Sequence, residues 1–262
     1  MTEISASKAT PEPAPPSNAL LSTELLRSVA SLSRFMRVNG SLRKSLPRGE
    51  GDVVLVLPGL GAGDWSTWPL RRLLGQIGYR AFGWDQGTNS GARHLYAGAA
   101  HRYEHLRDTV GGPISIIGWS LGGVYARRLA KDYAADTRCV ITMGSPFAHA
   151  PSGSNIARLY RRLHGHYPGG DDRASPRMVA PPPVPTTSIF SRSDGVVPWQ
   201  SCQEIAGPIA ENIEVTSSHC GLGYDPAVVY AVADRLAQAR RPAWKPFRVP
   251  GQLRRKLDLG FA

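Results

Sequence analysis

Ser120 stands where an apolar run meets a helical pattern: Ile114-Ser115-Ile116-Ile117-Gly118-Trp119-Ser120-Leu121-Gly122-Gly123, then Val124 to Ala130. The first part reads as a strand and the last as a helix, so the spacing predicts a sharp strand-to-helix turn with the hydroxyl at its tip. Glycines at 118 and 122 let the chain double back where a side chain would strike its neighbours. The helix N-terminus, with unpaired N–H groups and partial positive charge, points to where negative charge forms in acyl transfer. The same letters also fit a glycine-rich turn with a surface serine, so the chemistry hangs on what else the chain brings there.

A serine hydroxyl is a weak nucleophile at neutral pH and needs a base within hydrogen-bond reach and an acid to fix that base. Of the seven histidines, His219 is placed best. Ser217-Ser218-His219-Cys220-Gly221 falls between the last predicted strand and the last predicted helix, and loops at the carboxyl ends of parallel strands converge on one sheet edge. Asp194, in Ser191-Arg192-Ser193-Asp194-Gly195-Val196-Val197-Pro198, is the expected acid; its plainer reading is a turn aspartate that satisfies its own backbone. Asp171, Asp172 and Asp225 are the alternatives, and Asp225 also reads as a helix N-cap. Two backbone N–H groups are expected to receive the charge of a tetrahedral intermediate: that of Leu121, and that of Leu60 in Leu57-Pro58-Gly59-Leu60-Gly61-Ala62-Gly63. That loop otherwise reads as a turn or a phosphate loop, and no Gly-Lys-Ser/Thr follows it. His101 and His105 lie four apart on a predicted helix, but no acidic motif joins them and no metal site is expected.

To bring these side chains together the chain must alternate strands with helices, and from residue 52 it does. Val53–Leu57, Tyr79–Trp84, Pro113–Ile117, Cys139–Met143, Thr186–Phe190 and Asn212–Thr216 read as strands. Trp65–Ile77, Ala92–Val110, Leu121–Tyr133, a stretch around 198–206 and Pro226–Ala239 read as helices. The alternation predicts an α/β fold, a mostly parallel central sheet with helices on both faces. It breaks over about 145–185, an excursion longer than an ordinary connection, with a short helix at 155–164. Residues 1–18 are proline-rich and expected to be disordered. Residues 19–48 carry an amphipathic helix over 19–38, whose stripe of Leu21, Leu25, Val29, Leu32, Phe35 and Met36 is expected to pack on the main domain, a membrane surface being the alternative. The domain proper spans 49–240, and the basic tail 241–262 is expected to wrap back on it.

Composition narrows the function classes. The 262 residues, 42% of them hydrophobic, can fill one large core or two small ones. No apolar run approaches about 18 residues, so no membrane span is expected. The start lacks the basic-then-apolar layout of a secretory signal, which points to the cytoplasm. Cys139, Cys202 and Cys220 are odd in number and far apart, as fits reduced thiols and neither a disulfide framework nor a zinc site. The formal charge is +11, with arginines clustered at 34–48, 158–162, 173–177 and 240–255. No nucleic-acid motif accompanies them, so no nucleic acid is expected as partner. The charge reads as a solvated arginine-rich surface or as weak attraction to an anionic membrane surface.

Pro58-Gly59-Leu60-Gly61, Gly118-Trp119-Ser120-Leu121-Gly122-Gly123, Met143-Gly144-Ser145-Pro146-Phe147 and Ser218-His219-Cys220-Gly221, with the chain order Ser120, Asp194, His219, resemble the α/β-hydrolase superfamily and, within it, bacterial serine esterases and lipases. The resemblance runs from about Val53 to Ala239. It departs at Pro58, where members often carry histidine, and in lacking two leading antiparallel strands, which implies a compact core of about six strands. It implies hydrolysis of a small-molecule aliphatic acyl ester through acyl-Ser120, with His219 moving the proton, Asp194 orienting His219, and no metal or organic cofactor. It also implies that the 145–185 excursion caps the acyl site, with Ile156, Leu159, Tyr160 and Leu163 as its inner face or as ordinary packing, and that Trp119 lines the acyl pocket. The same triad serves thioesterases, amidases and acyltransferases. A fold kept for binding without catalysis is the remaining alternative.

Overall fold

The computed structural model describes residues 13–149, 154, 157, 160–162, 165–168 and 175–262. Six strands, β1 (Val53–Leu57), β2 (Arg80–Gly83), β3 (Ile114–Trp119), β4 (Thr137–Met143), β5 (Thr186–Phe190) and β6 (Ala210–Glu214), form one sheet in the order β2-β1-β3-β4-β5-β6. All neighbours are parallel. The chain runs outward from β1 to the edge strand β2, then crosses back to β3 and continues outward to β6. The order reverses between β1 and β3, so the loop after β1 and the turn after β3 open onto one crevice at the carboxyl ends.

Strands covered on both faces read as unbroken apolar runs, and β1 shows why. Val54 and Val56 enter one core with Ile117, Ile141 and Met143, while Val53, Leu55 and Leu57 enter the other with Ile114, Ile116 and Val140. The helices are α1 (Asn18–Ser22), α2 (Glu24–Ser45), α3 (Asp64–Gln76), α4 (Leu95–Val110), α5 (Leu121–Asp132), α6 (Pro176–Val179), α7 (Pro226–Gln238) and α8 (Gly251–Lys256). Apolar residues of α2, α3 and α7 close the first core, and those of α4 and α5 the second. The C-terminal tail lies along the outer edge of β6: Thr216 N–H donates to Gly260 O at 2.6 Å and Ala262 N–H to Glu214 O at 3.2 Å. Phe247 and Phe261 pack there against Tyr230 of α7, so an otherwise open edge is covered.

Three expectations change. The stretch around 198–206 is no α-helix but a single 3₁₀ turn, Trp199–Cys202. Tertiary partners pull the rest straight: Asn212 holds both Glu204 backbone groups, at 2.7 and 2.8 Å, and the Glu204 carboxylate turns inward to Arg127. β6 lies two residues before its predicted span: Ala210 pairs with Thr186 of β5 at its start, and past its end Thr216 N–H turns to the tail while Val215 N–H still donates to Phe190 O at 2.9 Å. The N-terminal helix runs on to Ser45, and it packs through a different face from the one its apolar stripe predicts. Glu24, Ser28, Ser31, Phe35 and Leu42 are buried, while Leu25, Val29, Leu32 and Met36 face solvent. Serines let the helix come close to the domain and find polar partners there, Tyr224 for Ser28 and Asp225 for Ser31.

Residues 1–12 fall outside the described residues, as do Ile156, Leu159 and Leu163 of the expected cap; Ala157 and Tyr160–Arg162 are helical. Among the described residues no helix is long and apolar enough to cross a membrane.

Candidate active site

β3 delivers Ser120 with its backbone at φ 53° and ψ −122°, a conformation that costs a side-chain-bearing residue about 1–3 kcal/mol. The surroundings hold it there. Ser120 N–H donates to Met143 O at 2.8 Å, and Gly123 N–H donates to Ser120 O at 3.0 Å. A Cβ on Gly118 would stand 2.3 Å from Gly123 Cα, and one on Gly122 would stand 2.3 Å from the Leu57 carbonyl oxygen. Glycine at both places is therefore what lets α5 start so close to β1 and β3.

The loops of Asp194 and His219 meet beside the cavities that Ser120 lines. His219 Nδ1 lies 2.6 Å from Asp194 Oδ2, with both side chains nearly sealed from water. This fixes the ring and leaves Nε2 as the nitrogen free to exchange a proton. The two readings of Asp194 turn out to be compatible, one per oxygen: Oδ1 accepts from the Val196 and Val197 N–H groups, each at 2.8 Å, and shapes the turn. Ser191 Oγ ties the loops together, accepting from Ser193 N–H at 3.0 Å and Ser217 N–H at 3.2 Å. Trp119 Nε1–H donates to the His219 carbonyl at 3.2 Å. Asp225 is not brought to the imidazole; it caps α7 through Ala227 N–H at 2.9 Å and pairs with Arg34. Asp171 and Asp172 lie outside the described residues, and His101 and His105 are exposed on α4.

Ser120, His219 and Leu60 together line two cavities, of about 170 and 390 Å³. Leu121, Pro146, Ala157 and Val197 are among the other residues that line the smaller, and Leu25, Trp65, Trp119 and Tyr224 among those that line the larger. Leu121 N–H opens α5, where no intrahelical acceptor exists. Leu60 N–H has no acceptor among the described backbone groups. Asn89, fully buried, braces this loop: its Nδ2–H donates to Pro58 O at 2.9 Å, and its backbone exchanges hydrogen bonds with Gly61 and Ala62 at 2.8 Å. Nothing in its sequence neighbourhood marks that role.

Glu24 was equally invisible in the sequence. Its carboxylate, brought in by the first turn of α2, accepts from Gly195 N–H at 2.7 Å, His219 N–H at 3.1 Å, Cys220 N–H at 3.1 Å and Arg27 Nη2 at 3.0 Å. One buried group thus grips the loop of the acid and the loop of the base. Glu24→Gln keeps the shape but turns an amide donor toward backbone donors. Each hydrogen bond to a charged group is worth about 1.5–3 kcal/mol, so kcat is expected to fall ~10–100-fold with a smaller change in KM, read by steady-state kinetics. A fall in stability without a change in kcat would show that Glu24 merely glues the helix on.

The electrostatics point the same way. Burial pushes the His219 pKa down, but the charge and hydrogen bond of Asp194, with the charge of Glu24, outweigh it and hold the pKa above the ordinary histidine value. A general base works only when deprotonated, so kcat/KM is expected to fall with acid through a pKa higher than that of a free imidazole. Asp194→Asn removes the main raising charge. Its acid limb should move to lower pH, with kcat reduced about 10⁴-fold; a limb that stays in place would detach Asp194 from the base. Burial, with the charges of Glu24 and Asp194, raises the Cys220 thiol to about 11, so it is no thiolate at neutral pH.

A six-stranded parallel sheet with a serine on a strained turn between β3 and α5 defines the α/β-hydrolase class. Residues 53–257 match the alpha/beta hydrolase family, and the chain belongs to that family; α1 and α2 precede the matched span. No curated protein sequence matches the chain. Among solved structures it is similar to the monoacylglycerol lipase of Paleococcus ferrophilus, at 14% identity and TM-score 0.53 over 72% of this chain and 97% of that one. It is also similar to a structure from the metagenome-derived lipolytic enzymes LipS and LipT, at 14% identity and TM-score 0.55 over 74% and 96%. A third is the thioesterase domain from the curacin biosynthetic pathway, at 14% identity and TM-score 0.52 over 71% and 90%. At these identities the likeness is one of fold.

Proposed function

We propose that the chain is a serine hydrolase that cleaves carboxylic esters of aliphatic acids through an acyl-Ser120 intermediate. The observation that carries this reading is the 2.6 Å pairing of His219 with Asp194 beside the cavity that Ser120 also lines. His219 Nε2 takes the Ser120 proton as Oγ attacks the ester carbonyl. The Leu60 and Leu121 N–H groups receive the oxyanion. Collapse expels the alcohol, which takes the proton from His219; water, deprotonated by His219, then frees the acid and restores Ser120. Pro146, Ala157, Val196 and Val197 give the smaller cavity an apolar lining suited to an alkyl chain. The excursion over 145–185, which supplies Ala157 and Pro168 to that lining, acts as the cap; Trp119, expected in the acyl pocket, lines the larger cavity beside it.

Turnover of p-nitrophenyl esters from acetate to decanoate, beside matched thioesters, tests the proposal. Ester cleavage that peaks at one chain length and disappears in Ser120→Ala supports it. A thioester preferred more than about tenfold would move the substrate class to thioesters, since a tenfold ratio is only about 1.4 kcal/mol. No cleavage of any ester by the wild type would overturn it.

A further inference from the structure

The ester chemistry leaves the solvent side of α2 unused. Glu24, Ser28, Ser31, Phe35 and Leu42 form the line that packs on the domain. Roughly a third of the way round the helix, Leu25, Val29, Leu32 and Met36 form a second line at helical spacing. These four are between 37% and 76% exposed, with Leu26 beside them at 73%. Trp65 and Trp68, one turn apart on α3, are 73% and 53% exposed. Single exposed apolar side chains are ordinary, but a contiguous group of this size marks an interaction site. This ridge also has a place: Leu25 and Trp65 line the larger cavity together with Ser120 and His219, so it begins at the cavity mouth.

The charges around the ridge choose its partner. Between Asn18 and Arg48 stand Arg27, Arg34, Arg37, Arg43, Lys44 and Arg48, against one acid, Glu24, which is buried. On α3 the one acid, Asp64, is taken up by the Trp84 and Asp85 N–H groups at 3.0 and 3.1 Å. Arg37, Arg43, Lys44 and Arg72 are exposed, and Arg72 sits over the Trp68 ring at 5.3 Å. An apolar ridge flanked by cations, with no exposed carboxylate on either helix, complements a surface that is anionic outside and apolar beneath. It does not complement a second copy of itself, whose cations would face its own.

We propose that α2 and the tryptophan end of α3 form a docking face for an anionic lipid bilayer, seating the cavity mouth on the lipid surface. The aromatic rings and leucines enter the headgroup boundary, and the cations meet lipid phosphates around them. That a lipid-borne ester then reaches Ser120 from this side rests on the proposed ester chemistry; the docking does not.

The full chain is co-sedimented with vesicles of ether-linked phosphatidylcholine, with and without ether-linked phosphatidylglycerol, lipids that hold no carboxylic ester to cleave. The wild type should bind the anionic vesicles at least about tenfold more tightly than the neutral ones, and less tightly as salt rises. Leu26→Ser/Val29→Ser/Met36→Ser alters only exposed side chains outside the cavity. It should lower vesicle affinity at least about tenfold while the melting temperature and the hydrolysis of soluble p-nitrophenyl acetate stay unchanged. Arg37→Glu/Arg43→Glu/Lys44→Glu should abolish the preference for anionic vesicles. Wild type that stays in the supernatant with both vesicles, or a triple serine variant that binds as wild type does, would overturn the proposal. So would a dimer, seen by sedimentation equilibrium, that the serine variant dissolves, because the face would then belong to a second copy. A chain that sediments with vesicles but cleaves no p-nitrophenyl ester loses the ester reading and keeps this one; the reverse result does the opposite.

Discussion

Ser120→Ala is expected to reduce kcat on p-nitrophenyl butyrate by about 10⁵–10⁶-fold. The reason lies in how the parts depend on one another. In the proposed mechanism the imidazole activates the hydroxyl at 120, which the strained turn carries into both cavities that His219 lines. His219→Ala should cost nearly as much, and the double variant little more than either alone, because residues that act as a unit lose their effect together. The Leu60 and Leu121 N–H groups survive all three substitutions, so a residue of about 10³-fold over water should remain. Folding should be unaffected, since the backbone bonds that hold the turn, Ser120 N–H to Met143 O and Gly123 N–H to Ser120 O, do not involve the side chain. Losses of the two single variants that multiply in the double variant would show that Ser120 and His219 work independently.

The largest loss of stability is expected at Arg127. This side chain and that of Glu204 are both wholly buried, paired with each other, and the Arg127 guanidinium stacks 3.7 Å over the Phe147 ring. It also donates to the Met178, Val179 and Ala180 carbonyls at 2.9–3.2 Å. Burial lowers the Arg127 pKa, and the charge and hydrogen bond of Glu204 oppose that shift. Arg127→Met strands a carboxylate in the core, which costs about 3–5 kcal/mol. In a chain of this size each kcal/mol lowers Tm by about 2–4 °C, so the fall should be plain in a melting curve. Arg127→Met/Glu204→Leu should regain a good part, because the pair contributes little beyond offsetting its own desolvation. It should not regain all, since the three carbonyls lose their donor. The consequence reaches the site: α5 begins one residue after Ser120, and Arg127 ties it to the segment where the chain returns from the excursion. A single variant that loses less than about 1 kcal/mol would contradict this account of the pair.

How far the sequence could be read follows from which forces were local. β1 and β5 occupy their predicted spans because the valine-leucine run of one and the Thr186-Thr187-Ser188-Ile189-Phe190 run of the other, bounded by Pro58 and Pro185, favour a strand. The turn at Ser120 was legible because only glycine fits beside it. The face of α2 was not legible. Apolar periodicity marks a stripe, but the domain offered Tyr224, Asp225 and three backbone N–H groups, and those partners suit serines and a glutamate. The same blindness hid Asn89, whose role exists only because the loop after β1 lies across from it. The segment after Trp199 looked helical because its neighbours in sequence allow a helix; Arg127 and Asn212, far away in the chain, decide otherwise.

One hydroxyl, at 120, is expected to be the activated nucleophile. A fluorophosphonate probe reacts covalently with such a serine and with few others. Treatment of the full chain, followed by digestion and mass spectrometry, is expected to place the adduct on Ser120, with labelling abolished in Ser120→Ala and strongly slowed in His219→Ala. An adduct on another serine, or labelling of Ser120→Ala at the wild-type rate, would contradict the account.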